Sequence, residues 1–97
     1  MTTIGVLLSG CGVLDGSEIH EATLTLYFLN KAGAKVVCLA PDMTVAAMDH
    51  GTKKPMGETR NIRVEAARIA RGPVLDAAQV TAADLDGLIL PGGMGSA

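Results

Sequence analysis

The chain has 97 residues and a mass of 9.9 kDa, short of the roughly 150 residues that one average domain takes. At most one domain fits, with a thin core: about 5,000 Å² of surface stays exposed out of roughly 14,000 Å² unfolded. The 48% hydrophobic and 19% charged residues argue against disorder. A net charge of −2 is too small to draw nucleic acid or a membrane by its field, and Tyr27 and Phe28, the only aromatics, make no base-stacking platform.

No apolar run approaches the roughly 20 residues of a membrane span, and the N-terminus lacks the basic start of a secretory signal. Two cysteines at this length are no disulfide scaffold. These features lead to the expectation of a cytoplasmic protein.

Ile4 to Ser9 (IGVLLS) reads as a buried parallel strand, broken by Gly10, Cys11 and Gly12. Ser17 is placed to cap the next helix, with Glu18 and Glu21 in its first turns, where negative charge suits the dipole. Ile19, Ala22, Leu26, Leu29 and Gly33 recur on one helical face, and Gly33 ends the helix. Lys35 to Ala40 (KVVCLA) is a second buried strand, completing a β-α-β unit. Residues 42–57 read as an irregular excursion or small hairpin with a basic tip. Thr59 or Asn61 opens a second helix, with Ile62, Ala66 and Ile69 on one face, that stops at Gly72-Pro73. Arg60, Arg63, Arg68 and Arg71 are all assigned to this helix. Val74 to Val80 has little character. Thr81 is placed to cap one turn through Asp84, and Leu88 to Leu90 is a third buried strand, cut by Pro91, Gly92 and Gly93.

Strands interleaved with helices predict a three-layer α/β fold whose working loops follow the carboxyl ends of the strands. Those loops are SGCGVLDGSE, APD and PGGMGSA. The last begins where a covering helix is expected next. Residues 1–97 are therefore read as an N-terminal portion of a single α/β domain, incomplete at its C-terminus, with one sheet side and one strand edge bare.

Four blocks in this order, LLSGCGVLDGSEIHE, AGAKVVCLAPD, HGTKKPMGETRNIRVEAARIARG and LDGLILPGGMGSA, resemble the start of the ElbB (enhancing lycopene biosynthesis, or isoprenoid-biosynthesis glyoxalase-like) proteins. These belong to the PfpI and glyoxalase III superfamily, related to the class I glutamine amidotransferase fold. The resemblance runs from Ile4 to the last residue. It implies a flavodoxin-like parallel sheet, a cysteine nucleophile on a strand-to-helix elbow beyond these residues, and an acidic residue beside that thiol. It also implies an oxyanion hole partly made by backbone after the PGG strand. The activity it implies is glyoxalase III-like: a small 2-oxoaldehyde such as glyoxal becomes a hydroxy acid with no cofactor and no metal. Superfamily relatives commonly form dimers, so a homo-oligomer is expected, with a small aldehyde as substrate and neither nucleic acid nor membrane as partner.

Spacing to Gly33 matches Glu21 to the acidic residue of that family, whereas helical geometry brings Glu18 nearer the apolar face. Both stay candidates, against the plain alternative of dipole-favoured carboxylates. Gly92 and Gly93 are candidate oxyanion donors, against a plain turn. Neither Cys11 nor Cys38 stands at the nucleophile position. A Cys11–His20 pair lacks anything to orient the histidine, and Cys38 reads as a buried small hydrophobe. His20 and His50 belong to no ligand-spaced cluster. The arginines read as a solvated face with Glu65 as ion-pair partner. Gly10-Cys11-Gly12 with Gly16 invites a dinucleotide reading, but Asp15 stands where the third glycine belongs and two glutamates start the helix.

Overall fold

The computed structural model describes residues 1–96. Strand β1 (Thr3–Leu7) leads through a glycine-rich loop into helix α1 (Ile19–Lys31), and β2 (Lys35–Ala40) returns beside β1 in parallel. Strands β3 (Thr44–Asp49) and β4 (Lys54–Asn61) form an antiparallel hairpin of their own, followed by α2 (Ile62–Ala70). A two-residue strand β5 (Leu75–Asp76) and two short 3-10 turns lead to β6 (Gly87–Ile89). The main sheet is parallel, in the order β5-β2-β1-β6.

Local chemistry explains most boundaries. Gly33, at φ 81°, takes the left-handed turn after α1 that a side chain resists. Asn61 caps α2 by accepting from the Val64 amide at 2.9 Å. Helix α1, by contrast, is capped by Glu18, whose carboxylate accepts from the His20 amide at 2.6 Å. Ser17 does not cap it. It is fully buried, and its hydroxyl accepts from the Ser9 amide at 2.8 Å, tying the two ends of the first loop together. A buried hydroxyl holding a buried amide outweighs the cap role when a neighbouring carboxylate can serve the helix instead.

Strand parity sorts the sheet into two unlike faces. Val6, Leu8 and Ala40 lie on the face covered by α1 and α2, where they pack with Ala22, Ile62, Ala66 and Val74. Leu26, Leu29 and Ile69 lean on this core as the helical spacing predicts, but Ile19 is exposed, because the helix begins at that residue and its first turn overhangs the sheet end. The opposite face carries Leu7, Leu39 and Leu88, covered only in part by Val80 and Leu85 from the β5–β6 connection.

Three other expectations change. Residues 74–80 hold a strand after all: β5 is recruited by β2, a tertiary pairing with no local signature. Leu88 to Leu90 form strand and exit as expected but are exposed rather than buried, since β6 is an edge strand with only partial cover from Leu85. Only Arg63 and Arg68 lie within α2. Arg60 is on β4, and Arg71 follows the helix in the left-handed conformation at φ 55°. The hairpin is also longer than expected and projects, giving overall extents of 43 × 26 × 21 Å. The total exposed surface of 5902 Å² exceeds the about 5,000 Å² of a compact chain of this mass. The open sheet face and the projecting hairpin account for the excess.

Candidate functional site

The carboxyl ends of β1 and β6 converge on the N-terminus of α1. There the Pro91–Gly95 loop is stitched to the first loop and the helix. The Glu18 amide donates to the Gly92 carbonyl at 2.7 Å, and the Gly92 amide donates to Glu21 Oε1 at 2.9 Å. Further along, the Met94 amide donates to the Val13 carbonyl at 2.8 Å and the Gly95 amide to the Gly16 carbonyl at 3.1 Å. Gly93, at φ 125°, sits so close to Gly16 and Glu18 that any Cβ would strike their backbone. A trans peptide sets its carbonyl and N–H antiparallel. With the Gly92 carbonyl turned onto Glu18, the Gly93 N–H is therefore directed away from the α1 N-terminus.

Of the four residues singled out in the sequence, Glu21 and Gly92 are in direct contact although 71 positions apart. Glu18 and Gly92 meet through backbone, while the Glu18 carboxylate turns back on its own helix. The two carboxylates are thus separated by direction: Glu18 serves α1, and Glu21 serves the glycine loop. The same arrangement argues against the dinucleotide reading, because a carboxylate stands at the helix N-terminus that a pyrophosphate would need.

Both thiols are held above their ordinary value. Burial pushes the Cys11 thiol up; Arg68 pulls it partly back down, and Glu65 and Asp15 add to the rise. Burial alone raises Cys38. His20 does not orient Cys11: its side chain is 90% exposed and lies 3.7 Å from Glu18. Arg60 joins Glu58 at 2.7 Å and Glu65 at 3.4 Å, and Arg68 joins Glu65 at 3.5 Å, so Glu65 is the shared partner expected of it. Among the described residues no group of three or more His, Cys, Asp or Glu side chains is gathered to hold a metal ion.

One feature of the first loop escaped the sequence. Asp15 Oδ2 accepts from the Met48 amide at 2.8 Å, and the Leu14 amide donates to His50 Nε2 at 3.1 Å. Nε2 being an acceptor, His50 carries its proton on Nδ1, which donates to the Met48 carbonyl at 3.1 Å. The β3–β4 hairpin thereby clamps the loop that carries Cys11. No spacing rule joins residues 36 positions apart. The one local hint was Asp15 itself, a charged residue in the middle of a glycine-rich loop.

No protein-family model matches the chain. It is 48% identical over 96 residues to the human glutamine amidotransferase-like class 1 domain-containing protein 3, mitochondrial, and 47% identical over 96 residues to the ES1 protein homolog, mitochondrial, of Rattus norvegicus. It is 38% identical over 100 residues to the ES1 protein, mitochondrial, of Danio rerio. Each match takes in 97% of this chain but only 36–37% of the relative. Among solved structures, an isoprenoid biosynthesis protein with an amidotransferase-like domain from Ehrlichia chaffeensis aligns with a TM-score of 0.95 and 44% identity, over 100% of this chain and 46% of its own. The fold is amidotransferase-like. The flavodoxin-like parallel sheet expected from the resemblance is thus present, over about half the length of that relative. The cytoplasmic expectation is overturned, since the three curated relatives named above are mitochondrial proteins. Unpaired cysteines fit any reducing compartment and do not single out the cytosol.

Proposed function

We propose that these 97 residues are the N-terminal portion of a single α/β domain and supply the carboxylate-and-amide side of a glyoxalase III-type site. In this reading a cysteine thiolate from polypeptide beyond them attacks a small 2-oxoaldehyde. Glu21 manages the proton beside that thiol, and the glycine loop stabilises the oxyanion, with Gly93 as a backbone donor. For glyoxal the net reaction takes up one water and yields glycolate and a proton. The carrying observation is the Glu21–Gly92 hydrogen bond, which places a carboxylate against the loop that borders the sheet end. The nucleophile is sought elsewhere because the family resemblance puts it on a strand-to-helix elbow beyond these residues, and burial raises the thiols of both Cys11 and Cys38.

The test is a chimera in which this chain replaces the matching segment of the solved relative. The chimera is expected to convert glyoxal to glycolate without glutathione or added metal, and Glu21→Gln to lower kcat about 100-fold, while the 97-residue chain alone is inactive. A silent chimera, or one indifferent to Glu21→Gln, rejects the reading. Glycolate made by the isolated chain rejects the external thiol.

A second reading, a binding or assembly module of the same fold without chemistry of its own, draws on the raised thiols and the exposed apolar residues of β6. Self-association into a homo-oligomer belongs to it.

A further inference from the structure

A single peptide group joins the hairpin to the glycine loop. The Leu14 N–H donates to His50 Nε2 at 3.1 Å. The Val13 carbonyl, the other end of that same rigid peptide plane, accepts from the Met94 amide at 2.8 Å. His50 in turn donates from Nδ1 to the Met48 carbonyl at 3.1 Å. All three donors point one way, from Met94 through the peptide and the imidazole to Met48, and bonds in such a chain polarise and strengthen one another.

A second partner for Nε2 stands beside it. Asp15 Oδ1 lies 3.7 Å away and, among the described residues, is the buried side-chain oxygen left without a hydrogen bond. The Asp15 side chain is only 10% exposed, and its Oδ2 is fixed on the Met48 amide at 2.8 Å. Met48 thus holds the carboxylate through its amide and the ring through its carbonyl, and Nε2 is the contact able to change partner. Gly12 makes room for this, since a Cβ there would lie 3.0 Å from the ring and 2.6 Å from Asp15 Oδ1. The His50 side chain is 39% exposed, so protons reach it from solvent. Of the charged groups around it, Asp15 on the first loop is in ion-pair contact. Asp49, the preceding residue, has its Oδ1 taken by the Gly51 and Thr52 amides. Lys53 and Lys54 follow at the hairpin tip, and Glu65 and Arg68 of α2 act on Cys11 of the same loop.

We propose that His50 is a proton-operated positioning residue for the glycine loop. Neutral, its Nε2 holds the Leu14 N–H and so keeps the Val13 carbonyl on Met94. Protonated, Nε2 bears an N–H, accepts nothing and repels the Leu14 N–H, and it turns onto Asp15 Oδ1 as a charge-assisted hydrogen bond. The Val13–Leu14 peptide then rotates, its carbonyl leaves the Met94 amide, and the peptide that follows Gly93 is released. Imidazole is the side chain that ordinarily changes charge between roughly pH 5 and 8, and that range is the window of the switch. The device needs neither thiol nor aldehyde, so it goes beyond the glyoxalase reading and stands or falls apart from it.

The experiment is NMR of the nitrogen-15-labelled chain, following the His50 ring nitrogens and the Leu14 and Met94 amides as pH is lowered through that window. The expected result is a ring protonated on Nδ1 alone at the neutral end, and a shift of both amides with the midpoint of the His50 ring. The temperature coefficient of the Met94 amide should rise to that of a solvent-bonded amide at the acid end, which a charge acting through space would not produce. His50→Gln, which keeps an acceptor but takes no proton, should abolish both amide transitions. His20→Gln, removing a histidine that is 90% exposed, should leave them unchanged. Amides that stay still while the ring titrates overturn the proposal. So does a neutral ring protonated on Nε2, or an amide transition that follows His20 or survives His50→Gln. Should His50→Gln fail to fold, the parent and His20→Gln decide by the same criteria.

Discussion

Glu18 and Glu21 show how three residues of chain separate two carboxylates of similar sequence context. Helical geometry placed Glu18 nearer the apolar face, but that argument assumes Glu18 is inside the helix. As the cap it has extended backbone, φ −64° and ψ 116°, so helical angles do not apply to it. Glu21, one turn in, is free to reach across to Gly92. Asp15 was read as a mere departure from a glycine pattern, yet its carboxylate is a bolt between loop and hairpin, with Oδ2 on the Met48 amide and Oδ1 buried 3.7 Å from His50 Nε2. Asp15→Ala leaves a half-buried amide without its acceptor and is expected to cost about 1–3 kcal/mol. Asp15→Asn, which keeps an acceptor, should cost less. Urea unfolding followed by circular dichroism measures both, and equal losses would show that the acceptor is not what matters.

Among elements, those with a local cause were legible and those with a tertiary cause were not. Asn61 opens α2 and Gly33 closes α1 through their own side chain and backbone; Gly33 was readable from residue type, and Asn61 as one of two candidates with Thr59. The turn from Thr81 to Asp84 is likewise local. The Thr81 amide and hydroxyl both donate to Asp84 Oδ2, at 2.9 and 3.0 Å. These bonds hold the Asp84 carboxyl below its ordinary value. A carboxylate depressed in the folded state contributes stability above the usual carboxylate range and loses it as pH falls through the depressed value. The turn is therefore expected to loosen in acid, below about pH 4. The Thr81 amide resonance followed by NMR should move over that range in the parent and not in Asp84→Asn. Strand β5, in contrast, is two residues long and exists because β2 offers it an edge. Its own sequence says nothing of that.

For the molecule as a whole, stability is concentrated where the sheet is paired on both sides. Strand β1 lies between β2 and β6, and Val6 and Leu8 are fully buried. Amides of β1 are expected to exchange with deuterium at least tenfold more slowly than those of β6, which has one neighbour and only partial cover. Equal protection would mean that the β6 edge is covered in solution. Composition and periodicity were enough to settle the parallel α/β class, the pairing of a β-α-β unit and the second helix. Apolar runs bounded by glycine and proline, and a 3.6-residue repeat, are short-range signals written wholly in neighbouring residues. Which face of the sheet is covered, which of two glutamates meets the glycine loop, and that a hairpin histidine grips the first loop were decided only by tertiary structure. Each depends on groups tens of residues apart, and their approach is set by the packing of the entire sheet and its helices.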